Sequence, residues 1–333
     1  MICELEDKIF DVQEQDFQQL ALEIFNLQYS HNGVYRAFTD ALRIDPRTVN
    51  NVASIPFLPV SFFKNHEVVT GTFTPDVIFE SSGTTQTGNS RHIVKSAGLY
   101  RKSFSRCFEL FYGLAKNWCI IGLLPSYLER KNSSLVMMVN ELIGQSGHAD
   151  SGFYLDDLEK LADLLKANQR ASQKTLLIGV TFALLDLAEK FQFPLHHTTV
   201  METGGMKGRR KEITREEMHK NLKAAWSLNA IHSEYGMTEL LSQGYSFGEG
   251  LFKCPPWMKI ILRDEDDPLT VKERGEGRRE RSGLINVIDL ANIHSCSFIA
   301  TDDIGKLHNN GTFEVLGRMD SSDVRGCSLM YTS

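Results

Sequence analysis

The sequence predicts an α/β protein in which mixed βαβ sheets form a large body and a smaller β-rich subdomain follows. Three observations carry that prediction. Between about residue 76 and residue 250, short apolar β-forming runs alternate with amphipathic segments of helical period. Beyond residue 250 the strand-like runs continue with little helix between them. Ahead of residue 76 the period is helical. The expected division is a helical N-terminal segment over 1–75 packed on the body, an α/β core over 76–250 and a β-rich part over 251–333.

In chain order, QDFQQLALEIFNLQ carries apolar residues at three- and four-residue intervals, one face of a helix. SIPFLPVSFFK then breaks helix with Pro56 and Pro59 and is expected to wrap the surface of the body. VIFE, WCIIGLLP, TLLIGV, TTVMET and NAIHSEY read as strands. Between them SAGLYRKSFSRCFELFYGLA, SSLVMMVNELIGQ, LDDLEKLADLLKAN, FALLDLAEKF and TREEMHKNLKAAW read as helices. Such alternation implies a parallel or mixed sheet covered on both faces. WMKIILRD, SGLINVIDL, SFIATDDIGKL and GTFEVLGRMD are strand-like pieces separated by Gly, Asp and Asn turns. The polar run from Asp264 to Gly283 reads as an exposed loop, with Arg274 to Arg281 a solvated basic surface.

Composition narrows the function classes. The 333 residues are 42% hydrophobic and 23% charged, as in soluble globular chains. A net charge of −6 argues against a broad nucleic-acid surface. No run approaches the roughly 20 apolar residues that cross a bilayer. MICELEDKIF has acidic residues where a signal peptide has basic ones, so the expected location is cytoplasmic. The cysteines at 3, 107, 119, 254, 296 and 327 form neither a CxxC pair nor a zinc-spaced cluster with histidine, and free thiols are expected.

The strongest chemical signal is the run from Phe79 to Ser90, FESSGTTQTGNS, between a predicted strand and a predicted helix. Hydroxyl residues interleaved with glycines let backbone N–H groups close around phosphate oxygens. It is not a Walker A loop, because GxxxxGK[ST] is absent. Thr203-Gly204-Gly205 follows the strand TTVME, where paired glycines permit close backbone approach to a flat ligand. Glu234-Tyr235-Gly236-Met237-Thr238-Glu239 follows the strand NAIHS, and the carboxyl ends of strands are where open α/β sheets bind ligands. Thr301 to Gly305 and Gly317 to Asp320 add carboxylates and a guanidinium suited to ribose hydroxyls.

In order and spacing, these segments resemble the signature motifs of the acyl-adenylate-forming superfamily of acyl-CoA synthetases, luciferases and peptide-synthetase adenylation domains, over roughly residues 75 to 327. Within it, FESSGTTQTGNSRH, METGGMKGRRKE and the ending DVRGCSLMY are most similar to the acyl-protein synthetases of the bacterial-luminescence fatty acid reductase. The resemblance makes 76–250 the nucleotide-binding core and 251–333 a part ending in a cysteine-bearing tail. It implies that Ser82, Gly83, Thr84 and Thr85 cradle the β- and γ-phosphates of ATP. Gly204 and Gly205 would line the adenine pocket with Tyr235 and Gly236, Tyr235 stacking on the base. Thr238 would contact the α-phosphate and Glu239 would hold Mg²⁺. Asp303 would bind the ribose with help from Arg318, and Asp320 matches the hinge position.

The pattern also departs from the wider superfamily. Gln86 stands where glycine is usual, and the lysine that often follows the phosphate loop is missing, with Arg91 the nearest substitute. No C-terminal lid domain with its lysine is expected, in keeping with the resemblance to the acyl-protein synthetases; Lys207, Arg209, Arg210 and Lys211 are candidates for the missing charge, or a solvated face.

Function follows as an expectation: ATP-dependent activation of a carboxylic acid, fatty acids first, then acyl transfer to a protein thiol. Cys327, in Arg325-Gly326-Cys327, is where the resemblance puts the acyl-accepting cysteine, and an adjacent arginine favours the thiolate. Cys296 is the rival, although HSCSFIA reads as strand. His232 reads as a core histidine, with the acyl pocket as its alternative. The competing functions are an acyl-CoA or aryl-CoA ligase and a catalytically weak adenylate-binding subunit of an acyl-transfer complex. The expected partners are the acid and an acyl-accepting or reductase protein, with no nucleic acid and no membrane span.

Overall fold

The computed structural model describes residues 2–81, 88–124, 132–204, 213–265, 267, 269–271 and 280–319. Three helices open the chain, α1 (Ile2–Ile9), α2 (Phe17–His31) and α3 (Gly33–Ala41), followed by β1 (Leu58–Pro59) and α4 (Phe62–Asn65). The hairpin β2 (Val77–Glu80) and β3 (Arg91–Val94) leads into α5 (Ala97–Tyr112). Alternation then sets in: β4 (Cys119–Leu123), α6 (Ser134–Ser146), β5 (Gly152–Phe153), α7 (Leu158–Arg170), β6 (Thr175–Gly179), α8 (Thr181–Lys190), β7 (Thr198–Glu202), α9 (Arg215–Trp226) and β8 (His232–Tyr235). The rest is strand-rich: β9 (Gly244–Ser246), β10 (Phe252–Lys253), β11 (Met258–Arg263), β12 (Glu280–Asp289), β13 (Phe298–His308) and β14 (Phe313–Arg318).

Local chemistry sets the helix ends. Ser96, Ser133, Asp157 and Thr214 each accept a backbone N–H in the first turn of α5, α6, α7 and α9, as N-caps do. Gly113 and Gly147 end α5 and α6 with φ of 77° and 63°, a conformation that a side chain would strain.

The main sheet of the described residues runs in the order β5-β4-β6-β7-β8-β9-β10-β14-β13-β12-β11, with β1 added beside β13, and β2 and β3 form a separate two-stranded sheet. Pairing is parallel from β5 to β8 and antiparallel from β8 onward to β11. Both faces of the parallel part are covered. Cys119, Ile121 and Leu123 of β4 pack in a core with Leu161, Leu184, Leu222 and Trp226 from α7, α8 and α9. Ile120 of the same strand belongs to the other core, with Phe104 and Phe108 of α5 and Val139 of α6. This is the alternation of a pleated strand, and each fully buried large aliphatic side chain contributes about 1.5–3 kcal/mol over exposure. The N-terminal helices are keyed to the far end of the chain. The buried Gln28 amide donates to Asn292 O, Ile293 O and Ser297 Oγ at 3.2 Å each and accepts from Ser297 N at 2.9 Å.

Three local readings of the sequence are corrected. SIPFLPVSFFK does not simply wrap the surface: Leu58 and Pro59 pair in parallel with Ile299 and Ala300. Strand β14 lies opposite residues 303–307 of β13 only, which leaves the edge at 299–300 open for β1. VIFE does not join the main sheet but pairs with RHIV, a four-residue strand too short to announce itself. The Ser/Thr/Gly run thus joins two antiparallel strands, and the helix begins only at Ala97. HSCSFIA becomes strand only from Phe298, and Cys296 is buried with Sγ toward Phe298 O, its thiol pushed up to about 12 by burial. That thiol is neither exposed nor ionised, so the rival acceptor loses its case.

Candidate active site

Two neighbouring turns at the carboxyl ends of β7 and β8 form the centre of the site. After β7, Gly204 has φ of +75°, which suits glycine. Its N–H donates to Glu202 Oε2 at 2.7 Å and its carbonyl accepts from Thr181 N at 2.9 Å, so both backbone groups are held. Glu202 is buried, and Arg215 Nε lies 3.3 Å from its Oε1. Burial would raise this carboxyl, but His219, the Arg215 charge and the Gly204 N–H prevail and hold it below the ordinary value.

After β8 the chain turns through Gly236, Thr238 and Glu239. His92 Nδ1 donates to Thr238 O at 2.8 Å, and Asn292 Nδ2 donates to Glu239 O at 2.7 Å. His92 Nε2 lies 2.9 Å from Asn292 Oδ1, and burial pushes this histidine down to about 4. Just beyond, the buried Asp289 carboxylate accepts from Leu241 N, Ser242 N, Ser242 Oγ and Ala291 N at 2.6–3.2 Å. The Glu239 side chain is buried, which raises its pKa against the opposing pull of Ser90, Arg318 and Lys64. Glu234 turns its carboxyl over Gly236, where a Cβ would collide with it. Loss of water, and then the nearby Glu202 charge, push Glu234 up to about 8.

The strand pair β13–β14 completes the arrangement. Asp303 and Arg318 are cross-strand partners, with Arg318 Nε 3.8 Å from Asp303 Oδ1. Tyr235 Oη donates to Asp303 Oδ2 at 2.9 Å, although the two are 68 positions apart in the chain. The Tyr235 ring is buried against Phe252 and Phe313, ring centroids at 6.0 and 5.3 Å. Burial raises the Asp303 pKa, opposed first by Arg318 and then by the Tyr235 hydroxyl.

Tyr235, Gly236, Thr238, Glu239, Gly204, Asp303 and Arg318 therefore lie on two adjacent strand ends and on the strand pair that reaches them. Ser82, Gly83, Thr84, Thr85, Gln86, Gly205, Lys207, Arg209, Arg210, Lys211, Asp320 and Cys327 lie outside the described residues. Ser81 and Ser90 frame the phosphate-loop candidate: Ser81 N donates to Ser90 O at 3.1 Å, and Ser90 N donates to Ser81 Oγ at 2.9 Å. His232 is half-buried with Nδ1 3.1 Å from Tyr112 Oη, and burial pushes it down to about 4. Sequence reasoning passed over Glu202, Arg215, His92, Asn292 and Asp289. Only the glutamate ending TTVME had a local signal, a charge at the close of a buried strand.

Residues 7–333 match the family model described as acyl-protein synthetase, LuxE. The chain is similar to the long-chain-fatty-acid–luciferin-component ligase of Vibrio harveyi, 24% identical over 344 residues, covering 95% of this chain and 87% of that protein. The same-named ligase of Aliivibrio fischeri is 24% identical over 348 residues, covering 96% and 89%. Among solved structures, a 2-hydroxyisobutyryl-CoA ligase in the postadenylation state superposes with a TM-score of 0.63 at 10% identity, over 91% of this chain and 68% of that one. ATP-bound MatB from Rhodopseudomonas palustris gives 0.55 at 17% identity, over 74% of this chain. The chain spans 49% of the length of that structure. These likenesses show the fold of the adenylate-forming enzymes. With a family match over nearly its whole length, the chain belongs to the acyl-protein synthetase, LuxE, family.

Proposed function

We propose that this enzyme activates a long-chain fatty acid with ATP as an acyl-adenylate and then passes the acyl group to its own Cys327. The observation that carries the reading is the meeting of Tyr235, Asp303 and Arg318 beside the two strand-end turns, polar groups suited to a ribose next to a backbone that a base can approach. Tyr235 and Gly236 contribute to the adenosine site with Gly204 and Gly205, and Asp303 accepts from ribose hydroxyls with Arg318 beside it. Ser82, Gly83, Thr84 and Thr85 take the β- and γ-phosphates, and Thr238 the α-phosphate. Glu239 is a desolvated carboxylate that a cation suits. Mg²⁺ arriving with the nucleotide would be held there together with phosphate oxygens and would supply charge neutralisation.

Adenylation asks little acid–base chemistry of the protein. The substrate is already a carboxylate; its oxygen forms a bond to the α-phosphorus as the bond to pyrophosphate breaks. Positioning and charge neutralisation carry the step. The Cys327 thiolate then attacks the acyl carbon, the C–O bond to AMP breaks, and a thioester forms with AMP as leaving group. A partner protein receives the acyl group from the thioester.

The test is carboxylate-dependent ATP–pyrophosphate exchange across a fatty-acid panel, wild type beside Cys327→Ser, together with transfer of labelled acyl groups to protein. Exchange in both, with protein labelling lost in the mutant, supports the full sequence. Exchange with labelling that survives Cys327→Ser moves the acceptor elsewhere. Absence of exchange with every acid, despite ATP binding, sinks the enzymatic reading.

A further inference from the structure

We infer that Glu202 and Arg215 form a clasp that sets the Gly204 turn against the β13–β14 hairpin, making both of them positioning residues for the nucleotide; this rests on the proposed function. The Glu202 side chain is 4% exposed, and its two oxygens do different work. Oε2 takes the N–H of Gly204, two residues on, at 2.7 Å, and so ties the glycine backbone to the end of its own strand. Oε1 faces Arg215 Nε at 3.3 Å, at the first position of α9. From there Arg215 reaches across the molecule. Its Nη1 donates to Val315 O in β14 at 2.9 Å, and its guanidinium lies over the Phe252 ring at 5.4 Å. Its charge also acts on Asp303. One carboxylate and one guanidinium thereby connect the adenine-side turn with the strand pair that carries Asp303 and Arg318.

The Glu202 carboxylate is buried while the Arg215 side chain keeps 35% of its surface in solvent, and the desolvation of the carboxylate offsets much of their attraction, so the pair is poorly explained as a source of stability. What such a pair does well is fix relative position, since the buried Glu202 charge is costly in any geometry that leaves it unpaired. Arginine suits the task better than lysine: its planar fork serves the carboxylate and the Val315 carbonyl at once while its face rests on an aromatic ring. Neither Glu202 nor Arg215 has a role in the adenylation steps above. His219 stands behind the pair, its Nε2 3.8 Å from Glu202 Oε1.

The experiment compares Glu202→Gln, Arg215→Gln, Arg215→Lys and the double variant Glu202→Gln/Arg215→Gln in the full chain. KM for ATP and for the acid are measured separately by pyrophosphate exchange, ATP binding by calorimetry and folding by thermal denaturation. The clasp predicts a KM and Kd for ATP raised about tenfold in either glutamine variant, with the acid KM and kcat little changed, and a double variant no worse than the singles. Arg215→Lys keeps the charge without the fork and falls between, and it remains informative if Arg215→Gln does not fold. Unchanged ATP affinity in well-folded variants overturns the clasp, as does a joint fall of all parameters that tracks the folded fraction. A wild type that exchanges normally confines either result to this inference. A wild type with neither exchange nor ATP binding removes the proposed function and the clasp together.

Discussion

The turns that end β7 and β8 are neighbours on parallel strands, yet they are held by different kinds of chemistry. The first rests on a charged pair, Glu202 with Arg215, whose far end is anchored in β14. The second is held from below by His92 and Asn292 on its carbonyls, with Asp289 gathering the amides that follow. The contrast suits their surroundings. The β8 turn is braced by the hairpin β2–β3 and by the segment after β12, so fixed hydrogen bonds suffice to hold it rigid. The β7 turn is separated from β14 in the sheet order by the three strands β8, β9 and β10, and the long charged side chain of Arg215 connects the two.

Breaking the β8 side should give the largest effect on stability. Asp289→Ala orphans the buried amides of Leu241, Ser242 and Ala291 and should cost at least about 3 kcal/mol by urea unfolding. A loss near zero would mean that water or a shifted backbone replaces the carboxylate, and the two turns would then differ less than described. On the β7 side, Gly204→Ala should cost about 1–2 kcal/mol through its positive φ, because among the described residues no atom lies within 4 Å of the added Cβ. Gly204→Asn, which tolerates that conformation, should recover part of the loss; equal losses for Ala and Asn would argue against a backbone origin.

The third expectation is a pH dependence. Folding raises Glu234 from 4.5 to about 8, so in that window the folded protein binds more protons than the unfolded one. The stability that the protonated group lends is full below pH 4.5 and is lost as pH rises through about 8. Glu234→Gln, which does not ionise, should therefore match wild type near pH 5 and gain in melting temperature toward pH 9. Parallel melting curves across that range would show that Glu234 ionises normally and that the crevice at β8 is wetter than its neighbours imply.

Much of this molecule was legible before folding. The alternation that marks β4 to β8, the Ser, Asp and Thr caps of the helices and the strand-end positions of TGG and EYGMTE all depend on neighbours within a few residues. Periodicity and turn chemistry encode those local relations, so they can be read from a string of letters. The same logic missed RHIV as a strand, because four residues carry too little pattern and their partner is supplied by the hairpin.

What only the tertiary structure decided is which distant groups share a dry neighbourhood. Tyr235 meets Asp303, His92 meets Thr238 and Asn292, and Arg215 meets both Glu202 and Val315. None of these pairings has a sequence signature, since a buried carboxylate and an exposed one are the same letter. Their choice of partner is set by desolvation: a charge or carbonyl closed off from water takes whichever donor the chain path brings within reach. That path is the property of the whole sheet, with its parallel half and its antiparallel half joined at β8 and β9, and no local stretch of sequence contains it.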